Sequence, residues 1–119
     1  MKAETYKKRI IKDMKAVGTY RDEFKETITT LARIYEDMDV AREKFEKSGG
    51  NIIIKHTNKN GSTNLVKNPL YKAIEDKENL VLAFNRELGL TPRGLKQLKT
   101  KGLEGNKASP LAAALSGMQ

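Results

Sequence analysis

The chain has no cysteine and no tryptophan, only one histidine and three prolines, and no long apolar run. Without cysteine there are no disulfides, no thiolate metal sites and no cysteine nucleophile, and a cytosolic location fits. The lone imidazole, His56, has no second histidine or cysteine at ligand spacing, so it reads as an ordinary surface or strand residue, not a metal ligand or general base. Nothing approaches the roughly 20 apolar residues that cross a bilayer. Met1-Lys2-Ala3-Glu4-Thr5 leads into charge instead of an apolar signal core, so no membrane partner is expected. A phosphate-cradling Gly-x-x-x-x-Gly-Lys-Ser/Thr loop is also missing, which excludes nucleotide hydrolysis by that route. Glu36, Asp37 and Asp39 gather on one predicted helix, whereas a two-metal nuclease needs carboxylates converging from several elements. Hydroxyl side chains are present without a recognisable base to activate them. No enzymatic activity and no cofactor are expected.

What is present is charge and helical period. The 119 residues are 38% hydrophobic and 32% charged, which supports one domain with a modest core and exposed helices with long solvated faces. That shortage of core points to oligomerisation. Net charge is +8 and unevenly placed. Residues 1–15 carry six basic and two acidic side chains, and residues 91–107 carry five basic against Glu104 alone. The segment 20–48 has six basic and eight acidic residues, so both ends are positive around a slightly negative body. Clustered cations gain free energy by releasing counterions from a polyanion, which makes a nucleic acid the natural partner; solvated lysine faces are the plainer alternative.

The apolar spacing predicts a mainly α fold. Tyr6, Ile10, Met14 and Val17 place a first helix at 3–17, ended by Gly18, with Thr19 in position to cap the next. Phe24, Ile28, Leu31, Tyr35 and Met38 alternate steps of four and three, and Arg42 and Phe45 continue the register through a second helix at 20–47. Ile34 and Ala41 widen that seam, so the apolar face can serve both an intrachain partner and a neighbouring subunit. After Ser48-Gly49-Gly50, the β-branched Ile52-Ile53-Ile54 and the returning Thr63, Leu65 and Val66 predict a β-hairpin over 51–67, with Asn60-Gly61 as a two-residue turn. A lone hairpin is marginal in water, so it is expected to pack on something, such as the same hairpin of another subunit. Asn68-Pro69 opens a third helix, 69–88, along Leu70, Ile74, Lys77, Val81, Phe84 and Leu88. Gly89 closes it, and Thr91-Pro92 opens a short fourth helix at 92–99. Helices two and three are expected to form a long antiparallel hairpin with helix one docked across it. Residues 1–100 then form one oligomerising, DNA-binding domain, and 101–119 a flexible tail whose Pro110, Leu111 and Leu115 offer a partner-binding peptide.

The long acidic amphipathic helix, the hairpin insert, Asn68-Pro69-Leu70, and Leu88-Gly89-Leu90-Thr91-Pro92 followed by Leu95 and Leu98 together resemble the small terminase subunit of tailed bacteriophages. The resemblance covers roughly residues 5–100, and its sharpest part is the Leu-Gly-Leu-Thr-Pro run before a basic helix. It implies a non-catalytic protein of the host cytoplasm that recognises viral DNA to initiate genome packaging. It also implies recruitment of a large subunit carrying ATPase and nuclease, and a homo-oligomeric ring of about eight to twelve copies.

Candidate residues follow. Lys7, Lys8, Arg9, Lys12 and Lys15 form one set for phosphate contacts, and Arg93, Lys96, Lys99 and Lys101 a second. The first helix and the start of the second make a possible helix-turn-helix about Val17-Gly18-Thr19. Few Arg, Asn or Gln side chains lie there to reach base edges, so backbone-dominated binding with indirect readout is expected. Subunit contacts are assigned to Phe24, Ile28, Leu31, Tyr35, Met38, Val81, Phe84 and Leu88. Two other functions fit the same residues: a small DNA-binding transcription or partition regulator, or a purely structural assembly adaptor.

Overall fold

Helical period and written caps translate directly into the architecture of the computed structural model, which describes residues 1–100. In chain order these form α1 (Ala3–Val17), a 3-10 turn (Asp22–Phe24), α2 (Lys25–Lys47), β1 (Ile53–Thr57), β2 (Thr63–Lys67), α3 (Pro69–Glu87) and α4 (Pro92–Thr100). The predicted tail, with Lys101, Pro110, Leu111 and Leu115, lies outside the described residues.

α2 and α3 run in opposite directions side by side. Tyr35 meets Asn85, Arg42 meets Glu78, and Phe45 meets Tyr71, one index falling as the other rises. α1 lies across α2 at the end where α3 finishes. There Ile10, Met14, Ile28, Leu31, Ala32 and Leu88 close into the core, with Tyr6, Tyr35, Val81 and Phe84 packed around it. Each fully buried aliphatic side chain contributes about 1.5–3 kcal/mol, so three helices are clamped at this end. Toward the other end the pair is held more thinly, by buried Ile74 and the tilted Phe45 and Tyr71 rings. The molecule is drawn out to 73 × 26 × 19 Å, with the helical core and the hairpin far apart.

The start of α2 differs from the periodicity. Helix was expected from residue 20, yet Arg21 is extended, one 3-10 turn follows, and α2 begins at Lys25. The cause is Thr19. Its backbone N–H donates to the Met14 carbonyl, closing α1, and its buried hydroxyl donates to the Leu88 carbonyl of a distant helix at 2.9 Å. Thr19 is therefore a tie to α3, not a cap of α2, and the chain must leave it extended before coiling again.

Asn68 does cap α3 as its sequence position implies. Its Oδ1 accepts from the Leu70 N–H at 2.9 Å, while its Nδ2 donates to the Asn51 carbonyl at 2.9 Å. One side chain thus starts a helix and ties down the hairpin base. The hairpin turn is a second correction. Thr57 pairs with Thr63, and Asn58 donates to Ser62 across the closing pair, so the loop is Lys59-Asn60-Gly61 and not Asn60-Gly61 alone. A two-residue turn would pair Ile54 with Lys67. The three-residue loop instead pairs Ile54 with Val66, the half-buried residues of their strands, and Gly61 supplies the positive φ of 88° that this loop requires. The strands otherwise project into solvent, with Ile53 54% and Leu65 71% exposed.

Candidate nucleic-acid interface

Two aromatic rings and two carboxylates set the orientation of α1. Tyr6 stacks on Tyr35 of α2 with centroids 4.8 Å apart, its hydroxyl donates to Asp39 at 2.6 Å, and the Ala3 N–H donates to Glu36 at 3.0 Å. The Asp39 bond, then burial, push the Tyr6 phenol up to about 12, and the same hydroxyl holds the Asp39 carboxyl below its usual value. With Ile10 and Met14 turned inward, helical spacing puts Lys8, Lys12 and Lys15 on the opposite, exposed crest. Lys7 and Arg9 fall to either side of it. The Arg9 guanidinium rests over the Tyr6 ring at 5.8 Å, and the Lys15 ammonium over Tyr20 at 5.2 Å.

α4 is set against α3 by two glycines. Gly89, at φ 73°, ends α3 in a conformation that strains any L side chain, and a Cβ there would press on Thr19 and Leu98. Gly94 is buried against α3 so closely that a Cβ would overlap the Arg86 carbonyl. Thr91 caps α4 by accepting from the Gly94 N–H at 3.0 Å. With Gly94, Leu95 and Leu98 turned inward, Arg93, Lys96, Gln97 and Thr100 line the outer face. Between α1 and α4 runs an open groove of about 630 Å³, walled by Asp13, Ala16 and Val17 on one side and Thr91, Pro92 and Leu95 on the other, with Tyr35 and Asn85 also lining it. The helices that carry the two basic sets, far apart in sequence, therefore wall one groove, whose own lining holds no Lys or Arg.

Ion pairing separates the two ends further. Arg42 with Glu78, Lys47 with Glu43, Lys67 with Glu75 and Lys72 with Asp76 pair at 2.5–2.8 Å, all toward the hairpin. Lys7, Lys8, Arg9, Lys12, Lys15, Lys25, Arg33, Arg93 and Lys96 make no ion pair among the described residues. Residues 34–85 hold eight basic and eight acidic side chains, whereas residues 1–33 and 86–100 together hold thirteen basic and six acidic. The positive charge of the folded chain thus belongs to the α1 and α4 end.

The apolar positions assigned to subunit contacts divide in two. Ile28, Leu31 and Leu88 are enclosed by intrachain packing and present no surface to a second copy. Phe24, Tyr35, Met38, Val81 and Phe84 remain half-buried. Exposed apolar side chains that the seam did not single out are Met1, Val40, Leu82, Ile52 before the hairpin and, on it, Ile53 and Leu65, together with Leu80, which had only broadened the seam. No group of three or more potential metal ligands occurs among the described residues, and no described helix is long and apolar enough to cross a membrane.

The family described as phage terminase, small subunit, matches residues 3–104, spanning every described helix and the hairpin. The chain belongs to that family. No curated protein and no solved structure is significantly similar to it. Sequence reasoning missed Lys25 and Arg33 as members of the unpaired basic set, because they lie in a segment whose net charge is negative. Only their lack of partners in the fold marks them.

Proposed function

We propose that this protein is the non-catalytic, DNA-recognising and regulatory subunit of a phage packaging terminase, acting in the host cytoplasm. It binds viral duplex DNA through its basic end, assembles as a ring and recruits the large subunit that carries ATPase and nuclease. The observation that carries this reading is the segregation of unpaired positive charge at one end of a family member. Cations already paired to carboxylates have little left to offer phosphates, whereas the α1 cations and Arg93 and Lys96 of α4 make no ion pair among the described residues and can displace counterions.

Lys8, Lys12 and Lys15 grip phosphates along the crest of α1, with Lys7 and Arg9 beside them. Arg93, Lys96 and Lys99 take a second stretch of backbone across the groove, continued by Lys101. α1, the Gly18 turn and the start of α2 act as the helix-turn-helix. Ring contacts use the half-buried Phe24 and Phe84, which with Thr27 and Ala83 line a second groove, and the exposed Leu80. The peptide about Pro110, Leu111 and Leu115 takes the large subunit. Repeating weak sites around a ring yields strong binding without any new contact.

Light scattering of the purified protein, alone and with duplex DNA at low and moderate salt, tests this. A particle of many subunits that gains mass with DNA is expected. Charge reversal of Lys8, Lys12 and Lys15 to Glu is expected to flatten the salt slope of binding by about 2–3 units per subunit engaged. A dimer with tight sequence preference would instead favour the small regulator, and a ring indifferent to DNA the structural adaptor.

A further inference from the structure

The outer surface of α2 over residues 25–33 differs chemically from the lysine crest of α1. Lys25, Glu26, Thr29, Thr30 and Arg33 line a shallow depression there. Ala32 and Glu36 face α1, and Thr29 and Arg33 occupy the next row of the helix, so the depression borders the line where α1 docks. The Arg33 side chain is exposed and has no hydrogen bond or ion pair among the described residues, although Asp37 stands one turn away. Glu26 makes no ion pair there either. The Thr30 hydroxyl is used up on the Glu26 carbonyl at 3.0 Å, whereas no such bond engages the Thr29 hydroxyl.

Along Lys8, Lys12 and Lys15 the α1 crest offers ammonium groups, which suit phosphates. The α2 depression holds a forked donor, a free carboxylate, a free hydroxyl and threonine methyls. A carboxylate is repelled by phosphate, yet it accepts from the cytosine amino group. A guanidinium forks onto the O6 and N7 acceptors of guanine, and a threonine methyl packs on the methyl of thymine. Mixed donor and acceptor chemistry beside a phosphate-gripping ridge is the arrangement that base reading requires.

We infer that the outer strip of α2, with Arg33, Glu26 and Thr29, reads base edges in the major groove while α1 holds the backbone. This rests on the DNA-binding reading above and replaces purely indirect readout with a direct component.

The test is selection from a pool of duplexes, about three helical turns long with randomised centres, by the full chain and by Arg33→Lys. Wild type is expected to enrich a motif with a fixed guanine. Arg33→Lys keeps the charge but loses the fork. It should retain the salt slope and overall affinity while discrimination at that guanine falls about ten- to a hundredfold. Glu26→Gln should relax a separate cytosine position. Enrichment of the same motif to the same degree by Arg33→Lys overturns the inference, as does wild-type binding with no motif; both leave the DNA-binding reading standing. Failure of wild type to bind any duplex at low salt overturns both.

Discussion

Replacing Thr19 by valine isolates the bond that ties the α1 to α2 connection onto the end of α3. The side chain is 1% exposed, and its hydroxyl donates to the Leu88 carbonyl at 2.9 Å. Valine matches the shape but removes the donor, leaving a buried carbonyl with no partner. That costs about 1–3 kcal/mol. Thr19→Ser is the control, since it keeps the donor and gives up one methyl beside Gly89, a loss of about 1 kcal/mol. Urea unfolding followed by far-UV circular dichroism, at one fixed protein concentration, separates the two. Valine is expected to lower the urea midpoint more than serine, and in a parallel thermal melt to lower Tm by about 4–8 °C per kcal/mol for a domain of this size. A Thr19→Val protein as stable as wild type, or less perturbed than Thr19→Ser, would refute the argument that the hydroxyl, not the packing, holds this corner.

Two further outcomes follow from the geometry. Gly94→Ala forces a methyl onto the Arg86 carbonyl and should cost about 1–3 kcal/mol or lift α4 from α3, seen as a lower Tm and faster proteolysis within 92–100; unchanged melting would refute the close approach. The Tyr6 and Asp39 bond shapes stability at both pH extremes. Asp39, held low by the Tyr6 hydroxyl, contributes stability that is present above its ordinary carboxylate pKa and lost as pH falls through its native value. Tyr6, raised to about 12, contributes stability that is complete below its ordinary value of about 10 and lost as pH rises between the two. Tyr6→Phe should therefore flatten the urea midpoint against pH at both edges, and an unchanged profile would remove this bond from the stability of the α1 docking.

Sequence alone determined the elements. The helix at 3–17, the hairpin segment, the Asn68 cap and the short basic helix after Thr91-Pro92 all depend on periods and caps within a few residues of chain, where local sterics and hydrogen bonding decide. Charge runs at the two ends of the domain were visible for the same reason. What the tertiary structure decided are matters between residues far apart. Thr19 reads as a helix cap until Leu88, 69 residues later, supplies a carbonyl for its hydroxyl. The Asn60-Gly61 pair reads as a two-residue turn until the matching of Ile54 with Val66 sets the register one residue away. Ile28 and Leu31 read as surface for another subunit until Met14 and Leu88 close over them. Arg33 was lost in an acidic segment because a charge count cannot show which carboxylates a guanidinium actually meets. Its freedom, like the groove that brings α1 beside α4, exists only once the helices are packed.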